Sequence, residues 1–158
     1  MEPVVVRDTL LLLAGVSAVL PRLPSPAERV KVIRELWTSF LPKASEIPGR
    51  IGAERYAVIE NDVHDVAEPP LLRAMVAVES FRDLPSWCER FTVEPGRYAV
   101  FLHHGLPSDF SKTVVDIQKN WVSKIPGLFE QNLEFVIYPA GYSPQDPNAT
   151  FEYWLPLP

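Results

Sequence analysis

ERYAVIEND, residues 54–62, is the stretch from which the fold can be worked out. Its side chains alternate, with Tyr56 and Val58 pointing away from Ala57, as successive side chains do in a β-strand. The stretch follows a segment with helical spacing of apolar residues and precedes a second strand pattern, LLRAMVAVES at residues 71–80. The local order is therefore predicted to be helix, strand, strand.

The same order of elements recurs in the second half of the chain. Each half contains a strand region, a helix with a tryptophan on its apolar face, and two further strands. ERYAVIEND corresponds to LEFVIYP at residues 133–139, and LLRAMVAVES corresponds to FEYWLPL at residues 151–157. FTVEPGRYAVFLHHG, residues 91–105, provides the strands before the second helix.

Two helices are predicted from capping signals and apolar spacing. The first begins at the capping box Ser25-Pro26-Ala27-Glu28 and is expected to end at Pro42. The second starts near Phe110, with Ser108 or Ser111 as its cap, and is expected to continue to Pro126-Gly127. Trp37 and Trp121 occupy matching places in the two helices.

The fold class predicted from this order is α+β. Two pseudo-symmetric strand–helix–strand–strand repeats, about residues 1–82 and about residues 88–158, would share one core in a single domain covering residues 1–158. One helix per half is enough to cover only one small sheet, so the halves are expected to form one broad antiparallel sheet with two main helices. A central cleft between equivalent halves is the expected ligand site.

Composition excludes several classes of protein. A hydrophobic share of 47% and a charged share of 22% are typical of a globular domain rather than a disordered chain. The net charge is -5 and the Lys and Arg residues are scattered, so direct nucleic-acid binding is not expected. A single cysteine, Cys88, excludes an internal disulfide and is compatible with the cytoplasm.

The apolar run LLLLAGVSAVL, residues 10–20, has two readings. The small residues Val16, Ser17 and Ala18 follow the leucines, as a cleavage site does in a secretory signal. However, Glu2 and Asp8 precede the run, where a signal peptide needs positive charge. The run is also too short to span a bilayer. We interpret it as a buried strand, and we expect no membrane association.

Recognised catalytic and metal-binding motifs are absent from the sequence. It contains no nucleophile elbow, no HExxH and no glycine-rich phosphate loop, and no cofactor is expected. His103 and His104 point to opposite faces of a strand and are not expected to share a metal. We expect these two residues, like His64, to be solvent-exposed at loop edges.

FTVEPGRYAVFLHHG, the Trp-bearing helix after it, LEFVIYP and FEYWLPL together resemble the GyrI-like (AraC-type) effector-binding domains, especially the integron-associated effector-binding group. LWTSF at residues 36–40 and RYAVIEND at residues 55–62 extend the resemblance over essentially the whole chain. His103-His104 departs from the His-Arg more typical of the family. The sequence shows no helical DNA-binding module beside the domain.

The resemblance implies a pseudo-twofold fold with a central pocket, in a bacterial protein of the kind found in integron cassettes and in multidrug-responsive transcription regulators. In such regulators the domain binds lipophilic cations, and the carboxylate of a glutamate on the terminal strand lies at the bottom of the pocket. That position corresponds to Glu152. Some relatives inhibit a topoisomerase and others hydrolyse strained cyclopropane compounds, which leaves both a protein partner and a hydrolase as alternatives.

The candidate ligand-binding residues follow from the resemblance together with strand and helix periodicity. Glu152 would anchor the charge, and aromatic side chains would form the walls: Trp154, Trp37, Phe40, Trp121, Tyr56 and Tyr98. Trp154 should share the Glu152 face, with Tyr153 on the other.

The alternative for Glu152 is a water-facing carboxylate or one paired with Arg73 or Arg97, and for the aromatic residues it is core packing. No catalytic residue is predicted in the main reading. We therefore predict a cytoplasmic sensor or sequestering protein for hydrophobic, cationic small molecules, of undetermined oligomeric state. The alternatives are a hydrolase that uses Glu152, or an acidic inhibitor of a basic protein partner.

Overall fold

The computed structural model describes residues 2–8, 10–20, 26–62 and 68–158 of the chain. These residues contain eight strands, two α-helices and one 3₁₀ turn. In chain order these are β1 (Val4–Asp8), β2 (Leu11–Val19), α1 (Pro26–Ala44), β3 (Arg55–Glu60), β4 (Leu71–Val78), β5 (Glu89–Val93), β6 (Gly96–His104), the 3₁₀ turn (Pro107–Asp109), α2 (Phe110–Asn120), β7 (Leu133–Tyr138) and β8 (Thr150–Leu157).

The eight strands form one antiparallel sheet in the order β1-β6-β8-β7-β3-β4-β2-β5. The order is symmetric about the central β7–β3 pair, because β8 and β4, β6 and β2, and β1 and β5 occupy equivalent places on the two sides. The correspondence of ERYAVIEND with LEFVIYP and of LLRAMVAVES with FEYWLPL matches this symmetry. The predicted α+β class, with one broad antiparallel sheet and two helices, is confirmed.

The two outermost strands cross between the halves. β1, at the start of the chain, pairs with β6, while β5, which follows the first half, pairs with β2. Each half of the sheet is thus closed by a strand from the other half of the sequence. The crossing joins the two halves through backbone hydrogen bonds as well as through the shared core.

Both helices pack on the same face of the sheet, which we call the helix side. Its core contains Trp37, Phe40 and Ala44 from α1, Ile117 from α2, and buried residues of the central strands such as Tyr153. The opposite face, which we call the helix-free face, has a smaller core of its own: Leu13, Val58, Met75, Ala77, Val93, Tyr98 and Phe135. Alternation in the strands therefore serves two separate apolar layers.

The apolar run near the start of the chain is a strand, as predicted. β2 lies between β4 and β5, and Leu13 and Ala14 on its two faces are both fully buried. Gly15 is needed there, because a Cβ at this position would meet the backbone of Ala74 and lie 2.8 Å from Met75 Cα. Among the described residues, no helix is long and apolar enough to cross a membrane.

The helix ends differ from the prediction. α1 does not end at Pro42 but continues to Ala44, which is buried against the sheet. A proline near a helix C-terminus removes its own N–H, while the residues after it can still complete the last turn. The Ser25 cap lies outside the described residues.

α2 is shorter than predicted and has a different cap. Asp109, rather than Ser108 or Ser111, occupies the cap position, and the helix ends at Asn120. Separate turns follow, in which the Ile125 N–H donates to the Trp121 carbonyl. Gly127, at φ +83°, lies within these turns, which continue to residue 129, and does not end the helix.

Candidate functional site

The sheet divides the seven predicted ligand-binding residues into two groups. Four lie on the helix-free face: Glu152, Trp154, Tyr56 and Tyr98. The other three belong to the helix-side core: Trp37, Phe40 and Trp121. Because the sheet backbone lies between the groups, no single cleft can be lined by all seven side chains, and the sequence-based expectation of one common cleft is wrong.

Strand register places Tyr56 and Glu152 in one row across the helix-free face. Tyr56 pairs with Ile137, Ile137 pairs with Glu152, and Glu152 pairs with Leu102. Neighbouring strands are about 4.8 Å apart, so Tyr56 and Glu152 stand roughly 10 Å from each other with Ile137 between them. The Glu152 carboxylate is therefore flanked on both sides by aliphatic side chains.

The adjoining row on this face is aromatic. Phe135 pairs with Trp154, and the Trp154 ring contacts Tyr98 at a centroid distance of 5.5 Å. Tyr98 also meets Phe135 edge-on at 6.0 Å. The Tyr98 hydroxyl donates to the Glu94 carbonyl at 2.7 Å, which fixes this ring at the rim of the sheet. Rings and carboxylate thus occupy adjacent rows of one surface.

The charge of Glu152 has no basic partner in the part of the chain that the structure describes. Its carboxylate accepts a hydrogen bond from Trp154 Nε1 at 3.3 Å. Arg73, one alternative partner, instead donates to Glu60 at 2.8 Å. Arg97, the other, is exposed and forms no ion pair with Glu152. The reading of Glu152 as half of a structural ion pair is therefore wrong.

Exposed apolar surface continues outward from Glu152. Leu102, directly opposite Glu152, is 54% exposed, and Val4, which pairs with Val100 in the next row, is 61% exposed. We call the surface made by Glu152, Trp154, Leu102, Ile137 and Tyr98 the Glu152 face. It combines one uncompensated negative charge with exposed aliphatic surface and the half-buried ring of Trp154, against which the buried Tyr98 packs.

The helix-side aromatic residues form a dense cluster. Trp37 contacts Phe40 and Tyr138 at centroid distances of 5.9 Å each. Phe40 is fully buried. Trp121 lies at the end of α2, where it contacts Phe101 at 6.5 Å and has Lys124 Nζ 4.9 Å from its ring centre. Core packing, the alternative considered for these rings, accounts for Phe40.

A second carboxylate, Glu134, was missed from the sequence. It lies on the helix side, where it accepts hydrogen bonds from the Tyr153 hydroxyl and from Asn61 Nδ2 at 2.7 Å. Burial, followed by the negative charge of Glu134, raises the pKa of Tyr153, so its hydroxyl remains a donor. The signal was present in LEFVIYP, where Glu134 is as unusual among apolar residues as Glu152 is in FEYWLPLP.

His103 corrects another expectation. The two adjacent histidines do face opposite sides, but His103 is buried and only His104 is exposed. His103 Nε2 donates to the Leu106 carbonyl at 3.0 Å, and Nδ1 lies 2.7 Å from Thr113 Oγ1. The ring also packs on Phe151 at 4.6 Å. Because both ring nitrogens find partners within the fold, burial of this histidine is favourable.

No metal site is found among the residues that the structure describes, in the sense of three or more His, Cys, Asp or Glu side chains grouped for coordination. His64 lies outside those residues. The chemistry available on the Glu152 face is charge attraction combined with aromatic and aliphatic contact.

The family comparison matches most of the chain. A family model described as integron-associated effector binding protein, Cass2, matches residues 15–157. No curated protein sequence matches the chain. The similar structures described below share 11–15% identity with this chain and therefore support the fold alone.

Three of these structures illustrate the likeness. SAV2435 bound to tetraphenylphosphonium has a TM-score of 0.78 at 12% identity, covering 100% of this chain and 94% of that chain. The integron cassette protein VCH_CASS2 from the mobile metagenome of Vibrio cholerae has a TM-score of 0.65 at 15% identity, covering 99% and 96%. A hydrolase encoded by lin2189 from Listeria innocua has a TM-score of 0.57 at 11% identity, covering 98% and 91%. On the family match, the chain belongs to the Cass2 family of integron-associated effector-binding proteins.

Proposed function

We propose that the protein binds lipophilic cationic small molecules on the Glu152 face, with Glu152 as the charge anchor, and that it acts as a sensor or sequestering protein rather than as an enzyme. Trp154 and Tyr56 supply partly exposed ring surface on the same side of the sheet, and Tyr98, which is 5% exposed, packs against the Trp154 ring. The predicted walls Trp37, Phe40 and Trp121 are not part of this site, because they lie behind the sheet.

One observation carries the proposal: the Glu152 carboxylate has no basic partner among the described residues, although it is flanked by Leu102 and Ile137. A carboxylate that is half-buried between apolar side chains loses part of its hydration, and a bound cation would compensate for that loss. Within the described residues, the carboxylate accepts one hydrogen bond, from the neutral indole of Trp154. A neutral donor stabilises the carboxylate without cancelling its charge.

The expected energies favour a large organic cation over an inorganic one. A charge pair about 4 Å apart near a protein surface gains about 4 kcal/mol at an effective dielectric constant of about 20. Contact with a tryptophan or tyrosine ring adds about 0.5–2 kcal/mol. A lipophilic cation also covers Leu102 and Ile137, at about 25 cal/mol for each Å² of apolar area. Sodium or potassium would gain the first contribution only.

The relatives support this class of ligand. SAV2435, with the highest TM-score of the structures described above, was solved with tetraphenylphosphonium, which is a lipophilic cation. The Cass2 family is described as effector-binding. Together they make tetraphenylphosphonium the first ligand to test on this chain.

The test is a titration of the protein with tetraphenylphosphonium, in which binding is measured by isothermal titration calorimetry. Triphenylphosphine oxide, a neutral molecule with three of the same rings, measures how much of the affinity depends on charge. Glu152→Gln should weaken tetraphenylphosphonium binding at least about tenfold and leave triphenylphosphine oxide binding unchanged. Glu130→Gln, which changes an exposed loop carboxylate, is the matched control and should bind as the parent does.

The variant Glu134→Gln tests on which face of the sheet the cation binds. If this variant loses tetraphenylphosphonium binding while Glu152→Gln retains it, the cation is bound on the helix side and the assignment to Glu152 is wrong. If neither variant affects binding, the charge anchor itself is rejected.

Hydrolysis is the second candidate function, and its candidate carboxylate is Glu134 rather than Glu152. Tyr153 faces away from Glu152 and its hydroxyl donates a hydrogen bond to Glu134, so a carboxylate–tyrosine pair is present on the helix side. The relative from Listeria innocua is named as a hydrolase. Turnover of styrene oxide that is lost in Glu134→Gln and retained in Glu152→Gln would support this candidate; absence of turnover in the parent would reject it for epoxides.

A further inference from the structure

β1 forms one end of the sheet, and its outer edge is open. In the sheet order, β1 pairs with β6 on one side and with no described strand on the other. Its outward N–H and C=O groups take part in no further backbone hydrogen bond among the described residues. Such an edge is a template for pairing with another extended chain, and natural proteins usually protect it.

The equivalent edge at the other end of the sheet is protected by charge, whereas the edge of β1 is apolar. β5 begins with Glu89 and Arg90, which are both exposed and charged, as is common on protected edges. β1 begins with Val4 and Val5, which point to opposite faces of the strand and are 61% and 49% exposed. The edge of β1 therefore offers apolar surface on both faces, beside its open backbone groups.

Two arginines lie side by side near the end of β1. Arg7 pairs directly with Arg97 on β6, so both side chains stand on the same face, which is the helix side. Opposed residues on neighbouring strands have Cβ atoms about 4.5–5.5 Å apart, and like charges in such pairs are destabilising. Both arginines are exposed, and neither forms an ion pair with a side chain that the structure describes. The helix side of this edge thus carries an excess of positive charge.

We propose that the edge of β1 binds an extended acidic segment of a partner protein as an added strand. The backbone of the segment pairs with the open backbone groups of β1. Its aliphatic side chains cover Val4 and Val5, and an acidic side chain on the helix side meets Arg7 and Arg97, where it relieves the repulsion between the two guanidinium groups. The site does not depend on Glu152 as a cation anchor, because it uses only the edge of the sheet.

Charge argues against a second copy of this chain as the occupant. Two β1 strands can pair antiparallel about a twofold axis perpendicular to the sheet, which keeps the helix sides of both copies on one face. With Val6 opposite its symmetry mate, Arg7 of each copy lies opposite Val5 of the other. The two Arg7–Arg97 pairs then gather on one face of the joined sheet, and their charges repel each other. An acidic segment supplies the opposite charge instead.

Strand alternation specifies the side chains of the segment. In an antiparallel pairing, the residue opposite Arg7 should be Asp or Glu, and the next three residues lie opposite Val6, Val5 and Val4. Those three positions favour β-branched side chains, with the first and third on the helix-free face. The peptide acetyl-Thr-Glu-Val-Thr-Val-Thr-amide has this pattern and is the probe. The same peptide with Lys in place of Glu is its matched control.

The test is a titration of ¹⁵N-labelled protein with the two peptides, in which binding is measured from ¹H–¹⁵N NMR spectra. The Glu peptide should shift the amide signals of β1 and leave those of β5 in place, and the Lys peptide should bind at least about fivefold more weakly. N-methylation of alternate residues tests the backbone pairing. Of the two alternating patterns, only the one that keeps its N–H groups toward β1 should bind.

Variants test the side chains of the edge. Arg7→Gln combined with Arg97→Gln should weaken binding of the Glu peptide at least about threefold and reduce the difference between the two peptides. Val4→Thr combined with Val5→Thr keeps the shape of both side chains, removes apolar contact and should weaken both peptides. Arg34→Gln, at an exposed position of α1, is the matched control and should bind as the parent does. The dispersion of the amide signals shows whether each variant is folded.

Three results would overturn the proposal. The first is that the signals of β1 stay in place up to the solubility limit of the Glu peptide. The second is equal affinity of the Glu and Lys peptides for the parent. The third is a dimer in analytical ultracentrifugation that is lost when Val4→Thr and Val5→Thr are combined, because a second copy would then occupy the edge.

Discussion

Glu152 and Trp154 lie two residues apart on one face of β8, and the Trp154 indole donates a hydrogen bond to the Glu152 carboxylate at 3.3 Å. The contact orients the carboxylate beside the ring without neutralising its charge. A lipophilic cation placed there would meet the charge and the aromatic surface together. Tyr98, which is buried with its ring 5.5 Å from the Trp154 ring, packs against that ring.

The hydrogen bond and the ring surface of Trp154 can be tested separately by mutation. Trp154→Phe removes the indole N–H and keeps an aromatic ring, so tetraphenylphosphonium affinity should fall by no more than about threefold. Trp154→Ala removes the ring as well and should lower affinity at least about tenfold. Calorimetric titrations of both variants measure the difference. Equal losses in the two variants would mean that the ring surface contributes nothing.

His103 should contribute to stability and His104 should not. His103→Phe removes both hydrogen bonds, so the half-buried Thr113 hydroxyl loses this partner and the Leu106 carbonyl keeps only the hydrogen bond from the Asp109 N–H. The expected loss in the free energy of unfolding is about 1–3 kcal/mol, measured by urea denaturation. His104→Phe, at the exposed neighbouring position, is the matched control and should change stability by about 0.5 kcal/mol or less.

Gly15 should tolerate no side chain. A Cβ there would meet the backbone of Ala74 in the paired strand, and backbone cannot move aside as a flexible side chain does. Gly15→Ala should therefore lower the free energy of unfolding by about 1–3 kcal/mol or more. Gly141→Ala is a poor control because Gly141 has φ +77°; Gly96, with more space around it, serves better. A stable Gly15→Ala protein would contradict the close approach of β2 and β4.

Stability should fall at high pH because of Tyr142. Its pKa is raised from 10.0 to about 12 in the folded state, with burial as the main cause. The unfolded chain then loses this proton at lower pH than the folded chain, so the contribution is complete below about pH 10 and is lost progressively up to about pH 12. Urea denaturation at pH 8 and pH 11 should show a smaller pH effect for Tyr142→Phe than for the parent. An equal effect would contradict the prediction.

Much of the fold could be predicted because its signals are local. Alternation in ERYAVIEND assigned Tyr56 and Val58 to one face, and both belong to the helix-free layer. Alternation also placed Trp154 with Glu152 and Tyr153 opposite them, as observed. The order of elements in the two halves gave the correspondence of strands, which the symmetric sheet order matches.

The site was harder to predict because it depends on which face the helices cover. The sequence shows that Trp37 lies on an apolar helix face and that Glu152 lies on a strand, but it does not show that the sheet stands between them. The burial of His103 has the same origin, since its partners Leu106 and Thr113 are brought to it by the turn before α2. Such contacts arise from tertiary packing, which no local pattern contains.

The most direct measurement is the affinity of the protein for tetraphenylphosphonium before and after the change Glu152→Gln. Titration calorimetry should show binding to the parent and at least about tenfold weaker binding to the variant, while the neutral triphenylphosphine oxide binds both equally. Equal affinity of tetraphenylphosphonium for the two proteins would contradict the assignment of Glu152 as the charge anchor.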